Sequence, residues 1–298
     1  HLDDYFYPYP DGKRAFPDDD TYGAYTAAGG SLERDDWRRS NVDQLVSGLA
    51  AAIRGKRADA WFGISPFGIY RPGIPEGVRG LDQVATLHAD PLAWYDQGWV
   101  DYLAPQLYWT TTHKAQRYDL LLDWWSTQVT DDRPLIVGLD ATRAGKDPAW
   151  SIEELRRQVT LSRQAANTHG QIWFRATPVL ADQGHVGQLV ADLYQTPALP
   201  PRLARAADHA VEPPRVRVRR NGAVRVELTK RDDARAFVLY QDRGHGYEAE
   251  RILGPDTRDL NLSAGRWALS VVDRTGAESE GAVVVTSTRD APRSPDRW

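Results

Sequence analysis

Two adjacent carboxylates, Asp3 and Asp4, stand near the head of the run HLDDYFYPYP, with Tyr5, Tyr7 and Tyr9 directly behind them. A carboxyl in a partly dehydrated cleft has its pKa raised toward the range useful for general acid catalysis, and an ionised neighbour pushes it further. If the run is a regular strand, successive side chains point to opposite faces, so at most one of the pair faces a shared cleft and the other bonds locally. The competing use is structural: an aspartate at a strand end also caps the loop that follows it, and the run alone does not choose between the two.

Related groups recur downstream. The segment AWFGISPFG and its continuation carry Ser65, Phe67, Tyr70 and Arg71, and VDYLAPQLYW carries Gln106, Tyr108 and Trp109. PLIVGLDAT ends in Asp140 with Arg143 beyond it, and GQIWFRATPVL holds Trp173, Arg175 and Thr177. Aromatic rings pack on the C–H faces of sugars while amides, carboxylates and guanidinium groups meet the hydroxyls, so such a set suits a glycan. Packing is the alternative for the rings, above all for Trp37, Trp94, Trp124 and Trp125, which lie in helical patterns or their approaches.

Other chemistries lack their residues. There is no cysteine, which excludes disulfides, thiol nucleophiles and thiolate metal sites. His88, His113, His169 and His185 have no ligand spacing, so no metal is expected. Neither a Gly-x-Ser-x-Gly elbow nor a phosphate loop is present, and no cofactor is expected. A formal charge of -4 on 37 basic and 41 acidic residues does not advertise nucleic acid as a partner, and no apolar run reaches a membrane span.

To bring these groups together the chain needs elements that end in one place. Residues 1–197 alternate short apolar runs with helical patterns: strands are expected at 1–7, 60–68, 100–109, 134–142 and 170–180, and helices at 41–56, 90–98, 117–129, 151–167 and 185–195. Ser151 and Glu154 form a capping box for the fourth helix. Five strand–helix units with near-continuous apolar strands imply a parallel sheet covered by helices, with ligands at the carboxyl ends of the strands. The α/β reading is therefore a partial (β/α)8 barrel, strands 4 to 8, whose first three units precede residue 1; an open five-stranded sheet is the alternative. Such a piece is expected to fold poorly and to be inactive by itself. Residues 198–214 read as a proline-rich linker. Alternating segments over 215–288, broken by NG, AG and TG, imply a fibronectin- or Ig-like β-sandwich, and the polar tail 289–298 reads as disordered.

HLDDYFYPYP, WFGISPFGIYRPG, DYLAPQLYW and YDLLLDWW, in this order, resemble the glycosyl hydrolase-like family 10 proteins of bacteria. The resemblance covers residues 1–195. It implies a (β/α)8 barrel, often followed by a fibronectin-like module, in an extracellular or cell-envelope protein; a characterised branch acts on peptidoglycan glycan strands stripped of stem peptides. The opening run is also similar in shape to the fourth-strand signature of family 18 chitinases. That similarity sets Asp3 in the place of the aspartate that orients the substrate and Tyr5 in the place of the acid. Tyrosine is a poor acid at neutral pH, so either Asp4 supplies the proton or the mechanism differs. APQLYW resembles the sixth strand of such barrels and implies substrate contacts for Gln106 and Tyr108. A second carboxylate would be Asp140 or would lie upstream of His1.

The resulting expectation is a glycoside hydrolase whose partner is a polysaccharide of the bacterial cell wall. Asp3, Asp4 and Tyr5 form its catalytic candidates, and Tyr7, Ser65, Phe67, Arg71, Gln106, Tyr108, Trp109, Asp140 and Arg175 its binding candidates. The alternative is a carbohydrate-binding or scaffold protein without turnover.

Overall fold

Proline and glycine decide how the sheet of the first half is built. In a computed structural model, which describes residues 1–12, 14–195, 198–206, 210–219, 222–228 and 233–286, the chain divides into two compact units, His1–Leu193 and Tyr194 onward. The first unit runs α1 (Asp19–Ala27), α2 (Arg34–Lys56), β1 (Gly63–Ile64), α3 (Gln83–Thr86), α4 (Pro91–Asp96) and β2 (Tyr102–Leu103). It continues with α5 (Tyr118–Ser126), β3 (Leu135–Asp140), α6 (Ile152–Gln164), β4 (Thr168–Phe174), α7 (Ala176–Leu180) and α8 (Val186–Leu193).

The sheet order is β1-β2-β3-β4, all parallel, and Leu2 bridges Ile64 on the outer side of β1. Five segments thus lie side by side in chain order. A doubly wound sheet would reverse its order at a switch point; an unreversed order fits part of a (β/α) barrel. β1 and β2 are two residues long, far shorter than expected, because Pro66 and Pro105 have no N–H to give the ladder. Pairing resumes as single bridges, Phe67 with Gln106 and Gln106 with Gly138. Glycine permits this close approach: a Cβ on Gly68 would stand 2.2 Å from the Gln106 carbonyl oxygen, and one on Gly138 2.8 Å from that of Pro105.

Other sequence expectations change as well. Residues 1–7 are not a strand beyond Leu2: the Asp3 side chain takes the Asp4 N–H at 2.9 Å, and the Asp4 carbonyl takes the Phe6 N–H at 3.0 Å, so the chain turns. The run expected as a strand over 170–180 ends at Phe174 and continues as α7, whose Pro178 sits in a first turn where amides have no helical partner anyway. α2 starts at Arg34 instead of 41, and α1 was not legible at all. Their polar stretches lack an apolar period and are tied by charge instead: buried Asp18 accepts from Arg38 Nε at 2.7 Å and Arg34 Nη1 at 2.8 Å. The Arg38 hydrogen bonds hold its carboxyl below the usual carboxylate range. α2 turns Val42, Val46 and Ala50 inward, onto a core that includes Phe62, Ile64, Trp94, Leu103 and Trp125.

The second unit comprises β5 (Arg215–Val218), β6 (Val224–Glu227), β7 (Ala234–Asp242), β8 (Tyr247–Leu253), β9 (Asp259–Leu260), β10 (Gly265–Asp273) and β11 (Ala282–Thr286). They form antiparallel sheets ordered β11-β10-β7-β8 and β5-β6-β9, with Phe237, Leu239, Leu269 and Val226 in their core. Part of the stretch read as a linker is packed: Leu203 is buried and donates its N–H to the Thr275 carbonyl at 2.7 Å. Residues 289–298, read as a disordered tail, lie outside the described residues.

Candidate active site

The turn after Leu2 separates the two carboxylates by environment. Asp3 is exposed and its Oδ1 accepts from Gln106 Nε2 at 2.7 Å as well as from the Asp4 amide. Asp4 is buried, and its Oδ2 accepts the hydroxyl of Tyr9. Burial raises the Asp4 carboxyl above its usual range; donation by Tyr9 opposes the rise and the charge of Asp3 adds to it. A regular strand would have sent these side chains to opposite faces; the turn keeps both within one electrostatic neighbourhood.

Residues at the carboxyl ends of the parallel strands surround the pair. Gln106, past β2, donates to Asp3 and to the Ser65 carbonyl at 3.1 Å, joining three strand ends through one amide. Tyr108 is the next group: burial first, then the charges of Asp3, Asp140 and Asp4, hold its phenol well above the usual range, and its ring stacks on Phe174 at 5.7 Å. Tyr9 stands edge-on to Phe67 and to Tyr5, each at 6.2 Å, and Phe67 meets Trp109 at 5.7 Å. Tyr5 is 75% exposed, so it forms an open wall and is no buried acid.

Several candidates face other partners. Tyr7 packs edge-on against His88 and Phe16 and receives a 3.4 Å hydrogen bond from Asn41, which makes it part of the support behind the turn. The Ser65 hydroxyl and His1 Nε2 are hydrogen-bonded at 3.0 Å. Arg71 pairs with Asp82 at 3.7 Å and lies over Tyr70. Asp140 accepts from the Thr142 amide at 2.8 Å and hydroxyl at 2.6 Å and pairs with Arg143 at 3.2 Å, the capping use of a strand-end aspartate. Trp109 is half-buried, and Arg175, exposed, directly follows Phe174.

The supports of these loops come from helices. Gln83 of α3, fully buried, donates to the carbonyls of Phe67 at 3.1 Å and Ile69 at 2.9 Å; Trp125 of α5 donates to that of Gly68 at 2.8 Å. Gln158 of α6, also fully buried, donates to the Trp109 carbonyl at 3.1 Å and to Glu154 at 2.8 Å. Glu154 accepts from both the amide and the hydroxyl of Thr111 at 2.7 Å, so its carboxylate clamps the loop after β2. Its own N–H meets Ser151 Oγ at 3.2 Å, the cap expected from the sequence. Sequence reasoning missed Gln83, Gln158 and the clamp, because an interior glutamine carries no spacing signal. Tyr9 was visible as a strand-end aromatic but not as the partner of Asp4. Among the described residues no cluster of His, Asp or Glu is arranged to hold a metal ion, and no helix is long and apolar enough to cross a membrane.

Comparison with known proteins addresses the same part of the chain. The glycosyl hydrolase-like 10 family matches residues 1–152, which takes in the carboxylate turn, Gln106, Tyr108 and Asp140. Glycosyl hydrolase YngK of Bacillus subtilis is 40% identical over 217 residues, 68% of this chain and 42% of that protein. Glycosyl hydrolase DigH of Escherichia coli K12 is 34% identical over 187 residues, 58% of this chain and 42% of that protein. The matched part thus spans less than half the length of these curated relatives. A solved Cellulomonas fimi endo-beta-1,4-mannanase double mutant aligns over 75% of this chain and 52% of its own at 15% identity, with a TM-score of 0.24, too low to bear on the fold. On the family match, the chain belongs to the glycosyl hydrolase-like 10 family.

Proposed function

We propose that the protein is a glycoside hydrolase of the bacterial cell envelope or exterior, acting on a cell-wall glycan, with Asp4 as the general acid. The observation that carries this reading is the buried Asp4 carboxyl, kept protonated to higher pH than an ordinary aspartate, beside an exposed Asp3 at the ends of parallel strands. A protonated Asp4 gives its proton to the glycosidic oxygen as the bond to the anomeric carbon breaks; water then bonds to that carbon and a proton of that water restores the Asp4 acid. Asp3, steadied by Gln106, faces the sugar and orients it, and Tyr5, Tyr9, Phe67 and Tyr108 supply rings for its C–H faces. The names of the relatives, both glycosyl hydrolases, support the reaction class. The second unit, read as fibronectin- or Ig-like, takes no part in this chemistry.

The test is hydrolysis of peptidoglycan strands freed of stem peptides, and of chitin oligomers, by the longest natural form of the protein. General acid catalysis contributes about 10²–10⁴-fold. Loss of less than about tenfold in Asp4→Asn would sink the assignment of the acid, and a loss that small in Asp3→Asn as well would take the whole turn out of the chemistry.

One observation favours a second reading. Asp140, the remaining strand-end carboxylate near Tyr108, is occupied by Thr142 and Arg143, so the two-carboxylate scheme rests on adjacent residues of one turn. Glycan binding without release of reducing ends at any pH would mark a binding or scaffold protein.

A further inference from the structure

One face of the second unit carries more positive charge than its own ion pairs take up. β5 alternates Arg215, Val216, Arg217, Val218, and Arg219 follows. Val216 packs on the core, so the arginines lie on the opposite face. The antiparallel register sets Arg217 opposite Arg225, Arg215 opposite Glu227, and Arg225 opposite Asp259 of β9. Asp259 takes Arg225 at 3.0 Å and Arg219 at 3.6 Å. Arg215 and Arg217 are exposed, and neither side chain has an ion-pair or hydrogen-bond partner among the described residues. Like charges directly opposite each other destabilise a strand pair, so the Arg217–Arg225 pairing works against the fold.

We propose that this arginine face is a docking surface for a carboxylate-bearing glycan strand. The choice of polymer rests on the cell-wall reading above, where strands freed of peptides expose sugar-linked carboxylates. Alternate residues of a strand stand about 6.7 Å apart and neighbouring strands about 4.8 Å. Arg215 to Arg219 therefore spans about 13 Å, enough for more than one anionic group. Guanidinium forks pair with carboxylates through two parallel hydrogen bonds. Glu227 and Asp259, set among the arginines, offer acceptors for sugar hydroxyls, donors that a glycan strand presents between its carboxylates. No aromatic side chain stands among these six residues to stack a base or a neutral sugar ring.

The experiment is co-sedimentation of the full chain with insoluble peptide-free cell-wall glycan. An Asp4→Asn background keeps the polymer intact and holds the cleft's own contribution constant. Adding Arg215→Gln and Arg217→Gln together lowers affinity about tenfold, the size expected for one to two charge-assisted hydrogen bonds. Amidating the polymer's carboxylates produces the same loss, and raising salt weakens binding of the unamidated polymer only. Equal binding of amidated and native polymer, or an unchanged affinity of the double variant, overturns the proposal. So does a single-stranded oligonucleotide that displaces the glycan at lower concentration. Hydrolysis of short uncharged chitin oligomers by the longest natural form, with Asp4 intact, is measured separately. Arginine-dependent binding without hydrolysis refutes the enzymatic reading and leaves this surface standing; hydrolysis with arginine-independent binding does the reverse.

Discussion

The two units use β-structure in opposite ways. In the second, β7 and β10 run nine residues each in near-continuous register, and their buried side chains make a core. In the first, β1 and β2 stop after two residues, where Pro66 and Pro105 interrupt the ladder. The polar groups gather past that interruption: Phe67, Gln106, Tyr108 and the Asp3–Asp4 turn all lie beyond the last regular pair of their strands. Regular pairing satisfies the backbone by itself. Broken pairing leaves carbonyls that need buried donors such as Gln83 and Gln158, and it frees side chains from strict alternation, which is how adjacent aspartates come to act as neighbours.

The sharpest way to break this contrast is at Asp4. Asp4→Asn is expected to reduce glycan hydrolysis by about 10²–10⁴-fold while raising stability near pH 7. The folded-state pKa of Asp4 lies above its unfolded value, so the carboxyl's contribution favours folding at low pH and is lost as pH rises from the unfolded pKa through the folded one. Asparagine removes the buried charge that neutral pH imposes and still accepts from Tyr9, a gain of about 0.5–2 kcal/mol by the usual stability–function trade-off. Denaturant titration of the variant at pH 7 and at pH 4 checks the sign: the gain shrinks at the lower pH.

In the second unit the largest effect belongs to the core. Phe237 is fully buried between the sheets, and Phe237→Ala is expected to destabilise that unit by about 3–5 kcal/mol. Each unit has its own core, so calorimetry resolves a lowered transition for the second unit, with hydrolysis of short oligomers at low temperature unchanged.

How far the sequence discloses each region obeys the same division. Period-2 alternation marks the strands of the second unit because their ladders are regular. In the first, the apolar runs located every strand of the sheet, and the carboxyl-end rule located Asp3, Asp4, Gln106 and Tyr108. The ends themselves were not legible. Leu2 was expected to lead a strand of seven, but the Asp3 carboxylate captures the Asp4 amide and turns the chain. Tyr7 and Arg71 looked like cleft residues by position, yet His88 and Asp82 claim them, and such partners depend on loops whose paths no periodicity encodes. α1 escaped notice because its anchor is Asp18 held by two arginines of α2, an ion-pair network with no hydrophobic period.

Glu154 tests whether the broken ends need their clamps. Glu154→Ala leaves the Thr111 amide and the Gln158 side chain short of an acceptor, for a loss of about 2 kcal/mol. With the loop after β2 released, the KM for glycan is expected to rise more than kcat falls, since Trp109 and Tyr108 hang from that loop while Asp4 does not. Ser151→Ala removes the neighbouring cap for about 1 kcal/mol and leaves both kinetic constants in place. Steady-state kinetics with denaturant titration of the two variants separates the clamp from the cap.

The smallest expected effect is the most specific to the turn. Tyr9 donates to Asp4 and so favours the ionised carboxylate, working against the burial that favours the protonated one. Tyr9→Phe removes the donor and keeps the ring against Phe67 and Tyr5. The Asp4 pKa then rises further, and an acid that must be protonated to work stays competent to higher pH. The alkaline limb of the kcat/KM profile is therefore expected to move upward with little change in its plateau. A downward move, or a limb that stays in place while the plateau collapses, would mean that Tyr9 itself handles the proton. Asp4 would then be its support, and the division of roles within the turn would be reversed.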